Sequence, residues 1–156
     1  MKTNTLNLPE YSFNIKNIEG KRYIFDKIRK KFVILTPEEW VRQNIIEFLT
    51  IDKKYPIGRF GNEIKLNING MPKRCDSIFY DENANPTLII EYKAPNIAIT
   101  QEVFDQIATY NIPLKAKYLL VSNGLEHFFC EIDYKLRKYK FFREIPSFEE
   151  LMSSII

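Results

Sequence analysis

Lys73-Arg74-Cys75-Asp76-Ser77-Ile78 and, after it, Ile89-Ile90-Glu91-Tyr92-Lys93-Ala94-Pro95 are two strand-like segments separated by a polar turn, Asp81-Glu82-Asn83-Ala84-Asn85-Pro86. Side chains alternate along a strand, so Glu91 and Lys93 project to one side and Ile90 and Tyr92 to the other. Pairing the two segments antiparallel about the turn sets Asp76 nearly opposite Glu91. Two carboxylates and an ammonium group then converge on one patch. Leu88-Ile89-Ile90 is apolar on both faces, as in a central strand. A charged cluster at the end of such a strand is costly unless it is paired or metal-bound. A divalent cation relieves the repulsion between two carboxylates, and hard oxygen ligands of this kind suit Mg²⁺, with Mn²⁺ as a substitute. The competing reading is a cross-strand acid–lysine pair on a solvated sheet face.

The elements on either side predict an α/β domain with a mixed sheet flanked by helices. Residues 1–17 read as an arm packed on the domain. Arg22–Phe25 and Lys31–Leu35 read as a hairpin. Thr36-Pro37-Glu38-Glu39 supplies an N-cap, a first-position proline and a capping box closed by Glu39, so a helix is expected from about Pro37 to about Thr50. Strands are expected over 63–68, 73–80 and 87–94, the first two joined by the tight-turn dipeptide Asn69-Gly70. A second helix covers about 100–111 and stops before Pro113. Strands then follow at 117–121, 127–132 and near 139–142, with a short helix from Ser147 that closes a single domain spanning 1–156.

The chain has 156 residues, 45% of them hydrophobic and 28% charged, which suits one globular domain with its own core. The single histidine, His127, cannot build a His-rich zinc site, and reads as a structural strand residue. None of the five glycines belongs to a G-x-G-x-x-G, a Walker A or a G-x-S-x-G motif, so dinucleotide, P-loop and hydrolase-elbow chemistries lack their signatures. Chemistry must come from carboxylates, lysines and a metal. Cys75 and Cys130 lack C-x-x-C spacing and read as buried free thiols in a reducing cytoplasm. No apolar run reaches membrane-helix length, so a cytoplasmic location with no membrane contact is expected.

On the first helix, Glu38 falls within the stripe Val41, Ile45, Phe48 and Leu49 at about 100° per residue. It is either a partnered acid facing the site or an acid favoured by the helix N-terminus. Arg42, one turn on, could pair with Glu38 or bind phosphate. On the second helix the expected buried face is Ile99, Val103, Phe104, Ile107 and Tyr110, with Gln106 at its edge. Gln106 and Tyr110 could look over the sheet margin where Glu91 and Lys93 emerge.

Asp76 with Glu91-Tyr92-Lys93 resembles the PD-(D/E)xK nuclease motif, with Cys75 standing where the name-giving proline would be. The runs Leu35–Gln43, Glu91–Pro95 and Phe104–Asn111 are similar to the N-terminal nuclease domain of type I restriction enzyme R subunits, and more closely to its small stand-alone bacterial forms. The similarity covers about residues 8–145. It implies that Asp76 and Glu91, with Glu38 as a further acidic ligand, hold Mg²⁺ and that Lys93 orients or activates water. Gln106 and Tyr110 fit a Q-x-x-x-Y motif of DNA-contacting or site-ordering groups. The activity implied is Mg²⁺-dependent DNA endonuclease, in restriction or repair, with DNA as partner and a homodimer or a larger complex possible in principle. The alternatives are a non-catalytic nucleic-acid-binding module and a nuclease subunit active only with a partner. Charge is uneven: residues 1–78 hold 15 basic and 9 acidic residues, and Lys16–Lys31 alone holds seven basic and two acidic. That segment, and Tyr134–Arg143 with five basic residues and no acidic one, could contact phosphates or be solvated faces.

Overall fold

The computed structural model describes residues 3–153, beginning with a small antiparallel sheet of β1 (Ile15–Ile18), β2 (Lys21–Asp26) and β3 (Lys31–Ile34). The expected hairpin is therefore β2–β3. The end of the expected arm departs from expectation, because Ile15–Ile18 pairs with Lys21–Ile24 as a third strand. The Glu19-Gly20 turn that joins them has positive φ at both residues, which the pattern of a two-residue hairpin requires. Helix α1 (Pro37–Glu47) follows, capped by Thr36, whose hydroxyl accepts the Glu39 N–H at 3.0 Å. A π-helical turn, Phe48–Asp52, continues it.

The main sheet has the order β4 (Phe60–Ile68), β5 (Met71–Tyr80), β6 (Pro86–Tyr92), β7 (Tyr118–Ser122), β8 (His127–Asp133) and β9 (Lys138–Phe141). All neighbours are antiparallel except β6 and β7, which are parallel and joined by the crossover helix α2 (Gln101–Asn111). Asn69 and Gly70 both have positive φ, as their turn between β4 and β5 demands. A last helix, α3 (Phe148–Ser153), closes the described chain. The sheet is mixed and flanked by helices, as expected.

Each face of the sheet has its own core. Ile90, Tyr92 and Leu120 pack with Val41 and Ile45 from α1 and Leu49 from the π-helical turn. Ile89, Leu119 and Val121 pack with Phe104 and Ala108 from α2. The alternation of β6 thus feeds both layers, so the strand is apolar throughout until its charged end. A buried polar chain ties the small sheet to the large one. Tyr92 Oη donates to Ser77 Oγ (2.8 Å), Ser77 to Asn62 Oδ1 (2.5 Å), and Asn62 Nδ2 to Asp26 Oδ2 (2.9 Å). Burial pushes Asp26 upward, but hydrogen bonds from Asn62 and Arg29 outweigh it and hold the carboxyl below its ordinary range. Cys75 and Cys130 are buried free thiols, raised to about 12 by desolvation. Among the described residues no helix is long and apolar enough to cross a membrane.

The N-terminal arm crosses from α1 to the β7–β8 turn. Trp40 Nε1 donates to the Asn4 carbonyl, Asn7 N–H to the Gly124 carbonyl, and His127 Nε2 lies 3.0 Å from the Asn7 carbonyl. With Nδ1 on Ser122 Oγ, His127 is structural, as expected. Gly124 has φ +86°, and a Cβ there would stand 2.7 Å from Leu6 Cδ2. Gly124→Ala should therefore cost about 1–3 kcal/mol from backbone strain plus displacement of Leu6. Urea denaturation measures that loss, and faster hydrogen exchange at the Asn7 amide would place it at the arm.

Candidate active site

The β5/β6 ladder pairs Ser77 with Ile90, and one further step sets Asp76 opposite Glu91. The register thus brings the two carboxyl groups into each other's field. Asp76 Oδ2 also accepts the Tyr92 N–H at 3.0 Å, which fixes its orientation across the strand end. Glu91 is driven well above the ordinary carboxylate range by burial, then by the hydrogen bond and charge of Asp76; Asn111 and Lys93 oppose the shift without reversing it. Two carboxyls set opposite one another create the repulsion that a cation between them would relieve. Lys93 lies one residue beyond β6 and donates its N–H to the Ser122 carbonyl at 2.9 Å, extending the parallel ladder by one bond. Its ammonium lowers both Glu91 and Glu38.

Glu38 comes to the same neighbourhood from α1. Burial raises its carboxyl, as does the charge of Asp76, while Lys93 and Arg42 pull it down. It is not on the buried stripe of α1. Val41 and Ile45 are buried, whereas Glu38, in the first turn, is exposed. Among the described residues no three His, Cys, Asp or Glu side chains form a metal-holding group, so Glu38 stands beside the Asp76–Glu91 pair rather than within it. The donor set at that pair, two carboxyls on adjoining strands, fits a magnesium-type ion that keeps several waters.

Arg42 is not displayed to bind phosphate: it is 3% exposed, and it pairs with Glu39 and Glu63 rather than Glu38. Nη1 donates to the Asp76 carbonyl, Nη2 to Glu63 Oε1, and Nε lies 2.8 Å from Glu39 Oε2. Its guanidinium also sits 5.3 Å from the centre of the Tyr92 ring. The same contacts correct the capping box. Glu39 donates its N–H to Thr36, but its carboxylate turns inward to Arg29, Arg42 and Gln43. Glu63 went unsuspected in the sequence, since nothing marks it among the acids of an alternating strand. The β4/β5 ladder pairs Asn62 with Ser77 and Ile64 with Cys75, leaving Glu63 opposite Asp76 but outside the regular pairing, with φ +54°. Its second oxygen takes the Arg74 Nε at 2.6 Å, and the two arginines hold its carboxyl below the ordinary range despite burial.

The face of α2 is rotated from expectation. Phe104, Ala108 and Asn111 are its buried residues, a spacing of four and three. Tyr110 is 41% exposed; its hydroxyl accepts the Arg74 N–H at 3.0 Å and its ring lies 4.1 Å under Lys73 Nζ. Gln106 is exposed and opens onto a shallow surface with Thr109 and Tyr110. Neither reaches Glu91. Asn111 does, donating Nδ2 to Glu91 Oε1 at 3.5 Å and to the Ile107 carbonyl at 2.8 Å. The 104–108–111 spacing carried that signal, but an asparagine beside Pro113 looks like a helix end.

Replacing Arg42 with Met should cost about 1–3 kcal/mol, because Glu39 and Glu63 each lose one of their charged partners and the Asp76 carbonyl loses its donor. Urea unfolding followed by circular dichroism measures this. A loss below about 1 kcal/mol would mean that the network is solvated.

Among known proteins, a solved structure similar to this chain is a fragment assigned to an HsdR subunit of a type I restriction enzyme from Vibrio vulnificus YJ016, with a TM-score of 0.57 at 18% identity. The likeness covers 78% of this chain and 25% of that one, so the chain spans about a quarter of that fragment's length, and what it establishes is the fold. No curated protein matches the chain. The family model for the type I restriction enzyme R protein N terminus matches residues 37–146, from the first residue of α1 to the approach of α3, a stretch that holds Glu38, Arg42, Glu63, Asp76, Glu91, Lys93, Gln106, Tyr110 and Asn111. With well over half of its length so matched, the chain belongs to the family of type I restriction enzyme R protein N-terminal domains.

Proposed function

We propose that this chain is a metal-dependent endonuclease that hydrolyses DNA phosphodiester bonds. The observation that carries the reading is the register of Asp76 against Glu91: two carboxyls opposite one another on adjoining strands, beside Lys93 and within the field of Glu38. Such a pair in a solvated ion-pair face would instead spread apart into water.

Asp76 and Glu91 would hold Mg²⁺. When bound, the ion supplies neutralising charge at the scissile phosphate and lowers the pKa of a bound water. Lys93 orients the attacking water from the strand end, where its backbone is fixed by Ser122. Glu38 accepts hydrogen bonds from water at the mouth of the site. Asn111 and the Tyr92 N–H hold the two carboxyls in place. Water attacks phosphorus, the P–O bond to the leaving strand breaks, and the products are one phosphate-terminated and one hydroxyl-terminated end. Membership of an R-subunit family favours work within a larger restriction or repair assembly.

Supercoiled plasmid incubated with the protein and Mg²⁺ should be nicked or linearised. Asp76→Ala should abolish this, and Lys93→Ala should slow it about 10²–10⁴-fold. Cleavage by both variants at the wild-type rate removes the assignment, and absence of both metal binding and cleavage points to the binding-module alternative.

The raised Glu91 carboxyl also fixes a pH dependence. Its folded-state pKa exceeds its unfolded one, so the folded chain keeps a proton that the unfolded chain has released. Stability of the metal-free protein attributable to this group therefore falls as pH rises from the ordinary Glu range toward the raised value. In EDTA, Glu91→Gln should melt higher than wild type at about pH 8 and not at about pH 5, by about 2–4 °C for each kcal/mol relieved. A variant that melts lower than wild type at the higher pH would contradict a raised Glu91 carboxyl.

A further inference from the structure

A groove of about 720 Å³ runs from the β2–β3 hairpin to the candidate active site. Lys31, Phe32 and Ile34 of β3 line its outer wall, and Glu38, Glu63 and Ala94 its inner end. Because β3 is an edge strand of the small sheet, nothing within that sheet covers this side of it. The groove is polarised along its length. Its inner end carries the acids that surround Asp76 and Lys93, and its outer wall belongs to the most basic stretch of the chain.

The hairpin's own acids do little to neutralise that wall. Asp26 is the cross-strand neighbour of Lys31, yet its oxygens are taken by Asn62, by the Arg29 side chain, and by the Ile28 and Arg29 N–H groups. Glu19 lies in the turn at the other end of β2. Lys16 reaches across from β1 and holds its Nζ 4.1 Å over the Phe32 ring, which fixes a cation above β3. A polyanion whose reacting phosphate lies at a cation-loaded acidic end needs such a wall for its neighbouring phosphates. A neutral or acidic peptide on the β3 edge has no use for the acidic end.

We propose that the β3 edge of the small sheet is the DNA-holding wall of the site, with Lys16 and Lys31, which flank it from opposite faces, contacting backbone phosphates beside the scissile one. This rests on the nuclease reading and names a surface that reading does not require. The Tyr134–Arg143 segment, equally basic in sequence, lies at the β8–β9 end of the sheet and takes no part.

The test measures binding and cleavage separately. Fluorescence anisotropy with a fluorescein-labelled duplex oligonucleotide is run on the full chain carrying Asp76→Asn, so that the probe stays intact. Adding Lys16→Glu and Lys31→Glu, both at exposed positions, should weaken binding by about tenfold or more and reduce the slope of log K against log salt by about 2. Lys135→Glu with Lys138→Glu should leave both unchanged. Unchanged affinity and slope in the Lys16/Lys31 variant overturn the proposal, as does a loss confined to the Lys135/Lys138 variant or a parent that does not bind the duplex. If the wild-type residues at 76, 91 and 93 give no cleavage while binding still depends on Lys16 and Lys31, the nuclease reading fails and the DNA-holding wall stands. Cleavage with hairpin-independent binding is the reverse case.

Discussion

Arg42 brings together groups that would otherwise be isolated in the interior: the carboxylates of Glu39 and Glu63, the carbonyl of Asp76 and the ring face of Tyr92. A guanidinium is suited to this because its five donors lie in one plane and its faces stack on aromatics, neither of which an ammonium offers. Burial alone would depress its charge, but the surrounding anions raise its pKa above the ordinary arginine value. The neighbouring geometry follows from this contact. Asp76 lies where the pairing of β4 with β5 skips a step, and its carbonyl accepts from Arg42. Glu63 turns through a left-handed backbone and presents one oxygen to each of two arginines.

A second constraint acts through the strand beside it. β6 alternates between two cores, with Ile90 and Tyr92 under α1 and Ile89 under α2, so it cannot slide by one residue without exchanging both layers. Glu91 thereby has a fixed side and a fixed height. The polar chain from Tyr92 to Asp26 carries the same register across to the hairpin sheet. The position of Glu91 and the position of β2 are thus set by one set of buried bonds.

The sequence carried the pairing of Asp76 with Glu91 because strand alternation and a polar turn of fixed length leave little choice of register. It carried the hairpin at Asn69-Gly70 for the similar reason that positive φ at two successive residues suits very few dipeptides. Faces of helices were less readable. Glu38 satisfies the angular rule for a buried residue, yet in the first turn of α1 it is exposed while Val41 and Ile45 on the same stripe are buried. On α2, Val103, Ile107 and Tyr110 are as apolar as Phe104 and Ala108, so hydropathy did not separate the two stripes, and Asn111 was lost among polar residues at a helix end. Arg42 and Glu63 were hidden for another reason. A charged residue looks solvated in a sequence until its partner is known, and their partners lie 34 and 11 positions away along the chain, at Asp76 and Arg74.

The parallel step between β6 and β7 has a consequence for how such a chain can change over evolutionary time. Glu38, Glu63, Asp76, Glu91, Lys93 and Asn111 all lie on elements up to and including α2, whereas β7, β8, β9 and α3 complete the sheet without contributing a side chain to the carboxylate cluster. Selection on chemistry and selection on the outer rim of the fold therefore fall on different stretches of the polypeptide. The later strands are free to drift in surface character, or to acquire contacts with other proteins, while the reacting end stays as it is.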